Sequence, residues 1–475
     1  MRFDVEKRSF VEEAAQVDKI AFVGTDKILR WQELKTLSDK ICEVFSKLEI
    51  PKGYPVLLYG DKEAVFLSAI VSCFRMGIAF VPLSPTNPQK RIEKIIQQTG
   101  SNILFACGNY PDVPSSTVTI DAHLNVTGSA QFVPPEKDLA YILFTSGSSG
   151  EPKGVMISPQ NIIAFTKWFR ANFGVNDDTI YINQADFSFD ISLADLFGTL
   201  HTGSTAIFND GATSLNEQLF FERINKYKGN YWNSTPSFVT RYLVSKNFNS
   251  EHLPTIAKFV LSGEDLSPKL VKELMARFPK ATIINAYGPT ETTIYADYAE
   301  ITEEMTEEQT LPICKNDQEL ISVKDGEIVI SGPAVGIGYL NDAALTAKKF
   351  VAGKFLTGDL ASEKNGYIYY NGRKDDQLKF NGYRIEPGEI KHALEKIDTI
   401  KQAECIPVII ENKVKRMIAF VIPKHEPFDV ADILAKLKGE SPSYMIPSEI
   451  VPLKEFPVTS SFKVDRKKLL ENYLG

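Results

Sequence analysis

Short apolar runs alternate with amphipathic ones up to about residue 300, and that rhythm leaves the chain few folds to choose from. "YPVLLYG" (54–60) reads as a buried strand and "KEAVFLSAIVSCFRMG" (62–77) as a helix stopped by Gly77. "IAFVPLSP" (78–85) returns to the extended state, "RIEKIIQQTG" is a second helix with a glycine stop, and "SNILFAC" is a third strand. Strands joined through helices must run parallel, so this βαβαβ order predicts layered α/β structure. Similar units recur around "DDTIYINQADF", "GSTAIFND", "AKFVLSGE" and "KATIINAYG". Beyond residue 300 the texture changes to short strands with glycine turns ("GEIVISG", "KFLTGDLA", "GYIYYNGR"), the pattern of an antiparallel or barrel-like piece. "EPGEIKHALEKI", "IKQAECIPVIIENKVKRMIAFVIPK" and "VADILAKLKG" then read helix, strand, strand, helix, a small α+β domain. The polar turn "GRKDDQ" (372–377) separates the two textures, which sets the expected domains at 1–374 and 375–475.

Composition excludes several classes of function. Fifty-three basic against 60 acidic residues, a net charge of −7, argues against nucleic-acid binding. The five cysteines are scattered, with no C-x-x-C pair, so neither a zinc site nor a disulfide framework is indicated. No H-E-x-x-H or G-x-S-x-G occurs. Charges stand where a signal peptide needs an apolar core, and no apolar run approaches membrane-spanning length, so no membrane span and a cytoplasmic location are expected.

The run "FTSGSSGEPKG" (144–154) follows the apolar "LAYIL" directly. Glycines let backbone approach an anion, while N–H groups, hydroxyls and the Lys153 ammonium supply donors, so the loop suggests a phosphate cradle. Its spacing is not that of a Walker loop, because Lys153 follows "GEP". An ordinary surface loop is the alternative. Further polar islands stand at "FSFDIS" (187–192), "NAYGPTETT" (285–293), "FLTGDL" (355–360), "GRKDDQLKFNGYRIEPGE" (372–389) and "SSFKVDRKKL" (460–469).

In that order and spacing the chain resembles, over essentially its full length, the adenylate-forming (AMP-dependent synthetase/ligase) superfamily. "NQADFSFDISLADLFGTLHTG", "WNSTPSFV" and "LSGEDLSPKLVKELMARFPKA" look most like stand-alone amino-acid adenylation domains such as the D-alanine–carrier-protein ligases. The resemblance implies an α/β fold: a large N-terminal domain of two α/β subdomains plus a small β-barrel, and a small hinged α+β C-terminal lid. It implies a ligase that uses ATP and Mg²⁺ to form an acyl adenylate and then a thioester. By the same resemblance Thr145, Ser146, Gly147, Ser148, Gly150 and Lys153 would hold the β- and γ-phosphates, with Ser149 and Glu151 as solvent-facing spacers. Tyr287 would offer adenine a flat face, Thr290 a hydroxyl to the α-phosphate, and Glu291 a carboxylate to Mg²⁺. Asp359 would accept from the ribose hydroxyls, with Arg373 beside it. Lys463 would be the catalytic cation of the first half-reaction, although Ser461-Phe462 stand where the family usually has Asn-Gly. Asp375 matches the hinge, with Asp376 as runner-up, and Lys379 and Gly382 would lie on the face used for the thioester step.

In amino-acid adenylation domains an aspartate at the position of Asp190 pairs with the substrate's α-ammonium. The bland alternative is an N-cap for the helix opening at "SLADLFGTL". The side-chain pocket implied by the resemblance comprises Ile191, Ala194, Asn233, Val260, Ser262, Ala286, Ile294 and Tyr295. Ser262 stands where the D-alanine ligases typically carry cysteine, which leaves a small or medium amino acid of either chirality as the expectation. With no carrier segment after residue 475, a separate carrier protein bearing phosphopantetheine is the expected acceptor. The alternatives are an acyl- or aryl-CoA synthetase and a non-catalytic adenylate-binding scaffold.

Overall fold

The computed structural model describes residues 2–11, 18–110, 112–147, 150–316, 320–410, 413–425, 428–458 and 464–474. The predicted βαβαβ unit is present as Pro55–Tyr59, helix Ala64–Met76, Ala79–Leu83, helix Gln89–Thr99 and Ile103–Ala106. Its strands pair in parallel, Pro55 opposite Ala79 and Leu57 opposite Leu104. Gly77 ends the first helix in the left-handed conformation (φ 70°), as a glycine stop requires. This unit lies within an eight-stranded sheet that also contains Tyr141–Thr145 and Lys153–Ile157.

A second eight-stranded sheet positions most of the expected site. Its central strands are parallel neighbours in the order Thr282–Tyr287, Lys258–Ser262, Tyr231–Ser234, Ile180–Asn183, Thr205–Phe208. Side chains alternate across the sheet. Tyr231, Val260, Ile284 and Ala286 join the main core, which helices Pro159–Phe173 and Ile191–Thr202 share. Trp232, Phe259, Leu261 and Ile283 face the opposite way, into a second, aromatic core. There the Trp232 ring lies 5.4 Å from Phe220 and Phe248 and 5.7 Å from Phe259, and its indole N–H donates to Ser234 Oγ at 2.9 Å. The glycine-punctuated stretch after residue 300 forms a six-stranded antiparallel sheet.

Backbone proximity divides the chain into two compact units. One comprises Met1–Pro85, Ile96–Phe144 and Gly154–Lys374. The other joins Asp375–Gly475 to two short segments from earlier in the chain, Thr86–Ile95 and Thr145–Lys153. Within it, a three-stranded sheet (Ile400–Ile410, Lys413–Pro423, Glu449–Pro452) packs helices Pro387–Glu395 and Val430–Glu440 on one apolar cluster. A hairpin of Leu378–Phe380 and Tyr383–Ile385 turns through Asn381 (φ 52°) and Gly382 (φ 82°), a two-residue turn with both φ values positive. Among the described residues no helix is long and apolar enough to cross a membrane.

Trp232 fills the centre of the second core with no exposed surface, so Trp232→Ala is expected to destabilise the protein by about 3–5 kcal/mol. A urea unfolding curve followed by fluorescence checks this.

Candidate active site

Tyr287 ends a buried strand, and its hydroxyl donates to Asp359 Oδ2 at 2.5 Å. Asp359 lies on the strand Lys354–Lys364, opposite Arg373 on Tyr367–Arg373, and the Arg373 guanidinium pairs with Oδ1. Each carboxylate oxygen has a second lone pair for a further donor. Burial, and then the Asp359 charge, raises the Tyr287 pKa well above its ordinary value, so the phenol stays a donor. The Asp359 carboxylate thereby links the end of the Tyr287 strand to Arg373 on the neighbouring strand of its own sheet.

After Tyr287 the chain turns back on itself. A Cβ on Gly288 would stand 2.5 Å from the Ile294 carbonyl and 2.7 Å from the Ala296 nitrogen, so only glycine fits. The turn carries Thr290, half-buried, and Glu291, fully buried, whose Oε1 accepts from the Tyr339 hydroxyl at 2.7 Å. Thr293 (φ 59°) and Ile294 (φ 75°) are both left-handed, a conformation that costs a β-branched residue about 1–3 kcal/mol. The Thr293 hydroxyl, donating to the Ala334 carbonyl at 2.6 Å, helps hold them there.

That strained pair delivers Tyr295 to the face of the sheet where the other expected pocket residues gather. The register sets Asn233 opposite Val260 and Ser262 opposite Ala286 on adjacent strands. Val260, Ala286, Ile294 and Ala194 are buried in the main core, and half-buried Ile191 packs against it. Tyr295 stacks on Phe173 (5.8 Å, 16°) and donates to Asn233 Oδ1 at 2.7 Å. Asp190 occupies the N-cap position of helix Ile191–Thr202 but makes no side-chain capping bond, so its bland alternative loses its basis. Its negative charge instead bears on the Tyr141 and Tyr295 hydroxyls, whose pKa values burial already raises well up.

Sequence reasoning missed the polar groups behind this pocket. Asp195, buried in the same helix, accepts from Asn183 Nδ2 at 2.8 Å and from Asn233 Nδ2 at 3.0 Å. Asn183 in turn accepts from the buried Lys62 ammonium at 2.8 Å. Lys62 precedes its helix, which starts at Ala64 and not at 62, and it donates also to the Ala185 carbonyl. The one available signal was a lone aspartate inside the otherwise apolar "ISLADLFGTL".

In the second unit the Gly/Ser loop meets carboxylates. Gly147 N–H donates to Glu389 Oε2 at 3.0 Å, and Lys153 Nζ lies 3.5 Å from Glu386 Oε1. Buried Arg91 pairs with Glu389 at 3.3 Å. The Ser146 hydroxyl donates to the Arg384 carbonyl at 2.8 Å, and that of Thr145 is buried without a hydrogen-bond partner among the described residues. Gly150 takes φ 82°. Glu151, expected to be a solvent-facing spacer, pairs with Lys396 at 3.1 Å and Lys94 at 3.4 Å. Its side chain keeps 45% of its surface exposed between these two lysines. Ser148, Ser149 and Lys463 lie outside the described residues. Lys374 N–H bonds the Gly358 carbonyl within the first unit, whereas in the second Asp376 pairs with Arg466 and Gln377 donates to Glu386 at 2.6 Å. Asp375 stands between these anchors, its Oδ1 accepting from Gln377 N–H at 3.4 Å. Lys379 lies on the hairpin described above and Gly382 in its turn.

The profile of the AMP-binding enzyme family matches residues 10–340, and that of the AMP-binding enzyme C-terminal domain matches residues 389–463. A D-alanine–D-alanyl carrier protein ligase from Bacillus cytotoxicus is 33% identical, over 95% of this chain and 96% of the relative. Two solved structures share the fold at 20% identity. The Vibrio cholerae adenylation domain AlmE, in complex with glycyl-adenosine-5'-phosphate, matches with a TM-score of 0.81 over 99% of this chain and 96% of that one. An o-succinylbenzoate CoA synthetase from Bacillus subtilis matches with a TM-score of 0.83 over 99% and 98%.

Burial pushes the Asp195 carboxyl up to about 7, against the hydrogen bonds of Asn233 and Asn183 and the charge of Lys62. The unfolded carboxyl, with a pKa of about 3.9, loses its proton first, so stability from this group falls as pH rises from about 4 to 7. Lys62, lowered by burial, acts with the opposite sign, and only between its lowered pKa and about 10.4. The urea midpoint is therefore expected to drop between pH 5 and pH 7 by more in the natural protein than in Asp195→Asn, which parallel titrations will check.

Proposed function

The chain belongs to the AMP-binding enzyme family and is an acyl-adenylate-forming ligase; we propose that it activates an amino acid with ATP and passes the aminoacyl group to the phosphopantetheine thiol of a separate carrier protein. The observation that carries this reading is Asp190, a carboxylate at the start of the helix Ile191–Thr202 whose charge bears on Tyr295 and Tyr141 beside a pocket of small and aliphatic residues. An aryl or fatty acid has no group for that charge, whereas an α-ammonium does.

In the first half-reaction a substrate carboxylate oxygen bonds to the α-phosphorus of ATP and the bond to pyrophosphate breaks. Chemistry of this kind needs positioning and charge stabilisation more than covalent help. Tyr287 would supply a fixed flat surface for adenine, tethered through its hydroxyl to Asp359. Asp359 and Arg373 would take the ribose hydroxyls. The loop Thr145 to Lys153 would hold the β- and γ-phosphates, and the contacts of Gly147 N–H with Glu389 and of Lys153 with Glu386 support an anion-binding role. Thr290 would donate to the α-phosphate, and Lys463 would bring the two anions together.

Glu291 is the residue that would hold Mg²⁺. Its carboxylate is a hard oxygen donor of the kind Mg²⁺ takes alongside the oxygens of substrate phosphates. When bound, the ion supplies charge neutralisation on those oxygens. In the second half-reaction the carrier's thiolate attacks the acyl carbon and AMP leaves. Rotation about Asp375, between the anchors at Lys374 and Gln377, would exchange the faces that Lys463 and the Lys379–Gly382 hairpin present.

Exchange of pyrophosphate into ATP, measured over L- and D-amino acids and a set of aryl and fatty acids, tests the reading. Strong exchange with an amino acid is expected, abolished by Asp190→Ala and lowered about 10²–10³-fold by Lys463→Ala. Exchange confined to an aryl or fatty acid would make the chain a CoA-synthetase-type ligase instead. Asp359→Asn is expected to raise the KM for ATP by about 10–100-fold, the value of one or two hydrogen bonds to a charged group.

A further inference from the structure

The buried line behind the pocket has a direction. Lys62 and Asn183 have almost no exposed surface, Asp195 1% and Asn233 2%. Asn183 ends its strand and Asn233 is the penultimate residue of the adjacent parallel one, in a register that pairs Tyr181 with Tyr231 and Ile182 with Trp232. The helix carrying Asp195 lowers one carboxylate between the two amides, Oδ2 to Asn183 and Oδ1 to Asn233.

Each orientation along the line follows from the one before it. An ammonium only donates, so the amide oxygen of Asn183 faces Lys62 and its NH₂ faces Asp195. In its ionised form Asp195 only accepts, and each of its oxygens takes the NH₂ of one amide. Asn233 donates as well to the Ile191 carbonyl at 3.3 Å, which leaves its oxygen for the Tyr295 hydroxyl proton. With that proton committed inward, the Tyr295 oxygen has only lone pairs left to offer, one to the Ser262 hydroxyl beside it and one to anything else. Stacking on Phe173 and the strained Thr293–Ile294 pair hold the ring in place. Asp190 and Tyr295 are then both acceptors, a polarity suited to a cationic group.

We propose that Asp195 is a positioning residue for amino-acid recognition: tied through Asn183 to the Lys62 ammonium and with Asn233 as its relay, it fixes the Tyr295 hydroxyl as an acceptor for the substrate's α-ammonium. The inference rests on the amino-acid reading of the pocket and adds to it a residue that never touches the substrate. Replacing the carboxylate by an amide sets a donor against one of the two NH₂ groups. If Asn233 turns over in response, its NH₂ faces Tyr295 and the phenol proton swings outward, so the wall becomes a donor.

The test compares KM and kcat in pyrophosphate exchange for the amino acid that supports it, for the matching 2-hydroxy acid, and for ATP. In Asp195→Asn the KM for the amino acid is expected to rise about tenfold while the KM for ATP stays within about twofold, and the preference for amino over hydroxy acid to fall about tenfold. Tyr295→Phe is expected to lose the same preference, and the double variant to be no worse than Tyr295→Phe alone, because both changes act at one oxygen. A folded Asp195→Asn with unchanged preference, effects that add in the double variant, or equal rises in both KM values would overturn the proposal. Should Asp195→Asn fail to fold, Tyr295→Phe decides alone: an unchanged preference overturns the proposal, and a lost one supports it. Absence of amino-acid-dependent exchange in the natural protein would instead sink the function reading, before any variant is compared.

Discussion

A buried polar group must find a partner or forfeit its hydration, and four strands of the central sheet carry such groups into the interior near their carboxyl ends. Asn183, Asn233, Ser262 and Asn285 are each no more than 5% exposed. Asn285 settles its amide on the Pro312 carbonyl at 2.8 Å, which ties the sheet to the segment leading into the antiparallel strands. Asn183 and Asn233 settle theirs on Asp195, and the Asn183 oxygen takes a proton of buried Lys62. The carboxyl edge of a parallel sheet is where α/β proteins place ligands, and here that edge is polar before any ligand arrives.

The same edge explains why the turn after Tyr287 is strained. Tyr287 must stay with Asp359 and Arg373, while Tyr295, a few residues on, must reach back to Asn233. The path between them is short, and it is closed by a crossing that only Gly288 permits and by Thr293 and Ile294 at positive φ. Strain of this size persists where the surroundings over-determine the backbone. Those surroundings are the Tyr287–Ala296 backbone bond (2.9 Å), the Thr293–Ala334 bond and the aromatic stack under Tyr295. One turn thereby joins the cluster read as the nucleotide site to the pocket read as the acyl site.

Much of this was legible in the sequence, because periodicity and glycine stops are local. The strand at 54–60, the helix ended by Gly77 and the polar islands needed only neighbouring residues to be recognised. Lys62 and Asp195 were illegible for the opposite reason. Lys62 in "GDKEAV" looks like a surface lysine opening a helix, and its partner Asn183 is 121 residues away. Nor does composition reveal that the loop Thr145–Lys153 groups with Asp375–Gly475 and not with its flanking strands. That grouping depends on Glu386 and Glu389, acidic residues in a helix-start pattern that reads as plain capping chemistry.

The central claim is that the Tyr287–Asp359–Arg373 cluster and the Asp190–Tyr295 pocket are two halves of one aminoacyl-adenylate site. Calorimetric titration with a non-hydrolysable aminoacyl-adenylate analogue, set beside AMP, tests it most directly. The account predicts that the analogue binds at least about 10²-fold tighter than AMP. Asp359→Asn should weaken both ligands, and Asp190→Ala should bring the analogue down to the affinity of AMP. Equal affinities in the natural protein, or a gap that survives Asp190→Ala, would contradict it.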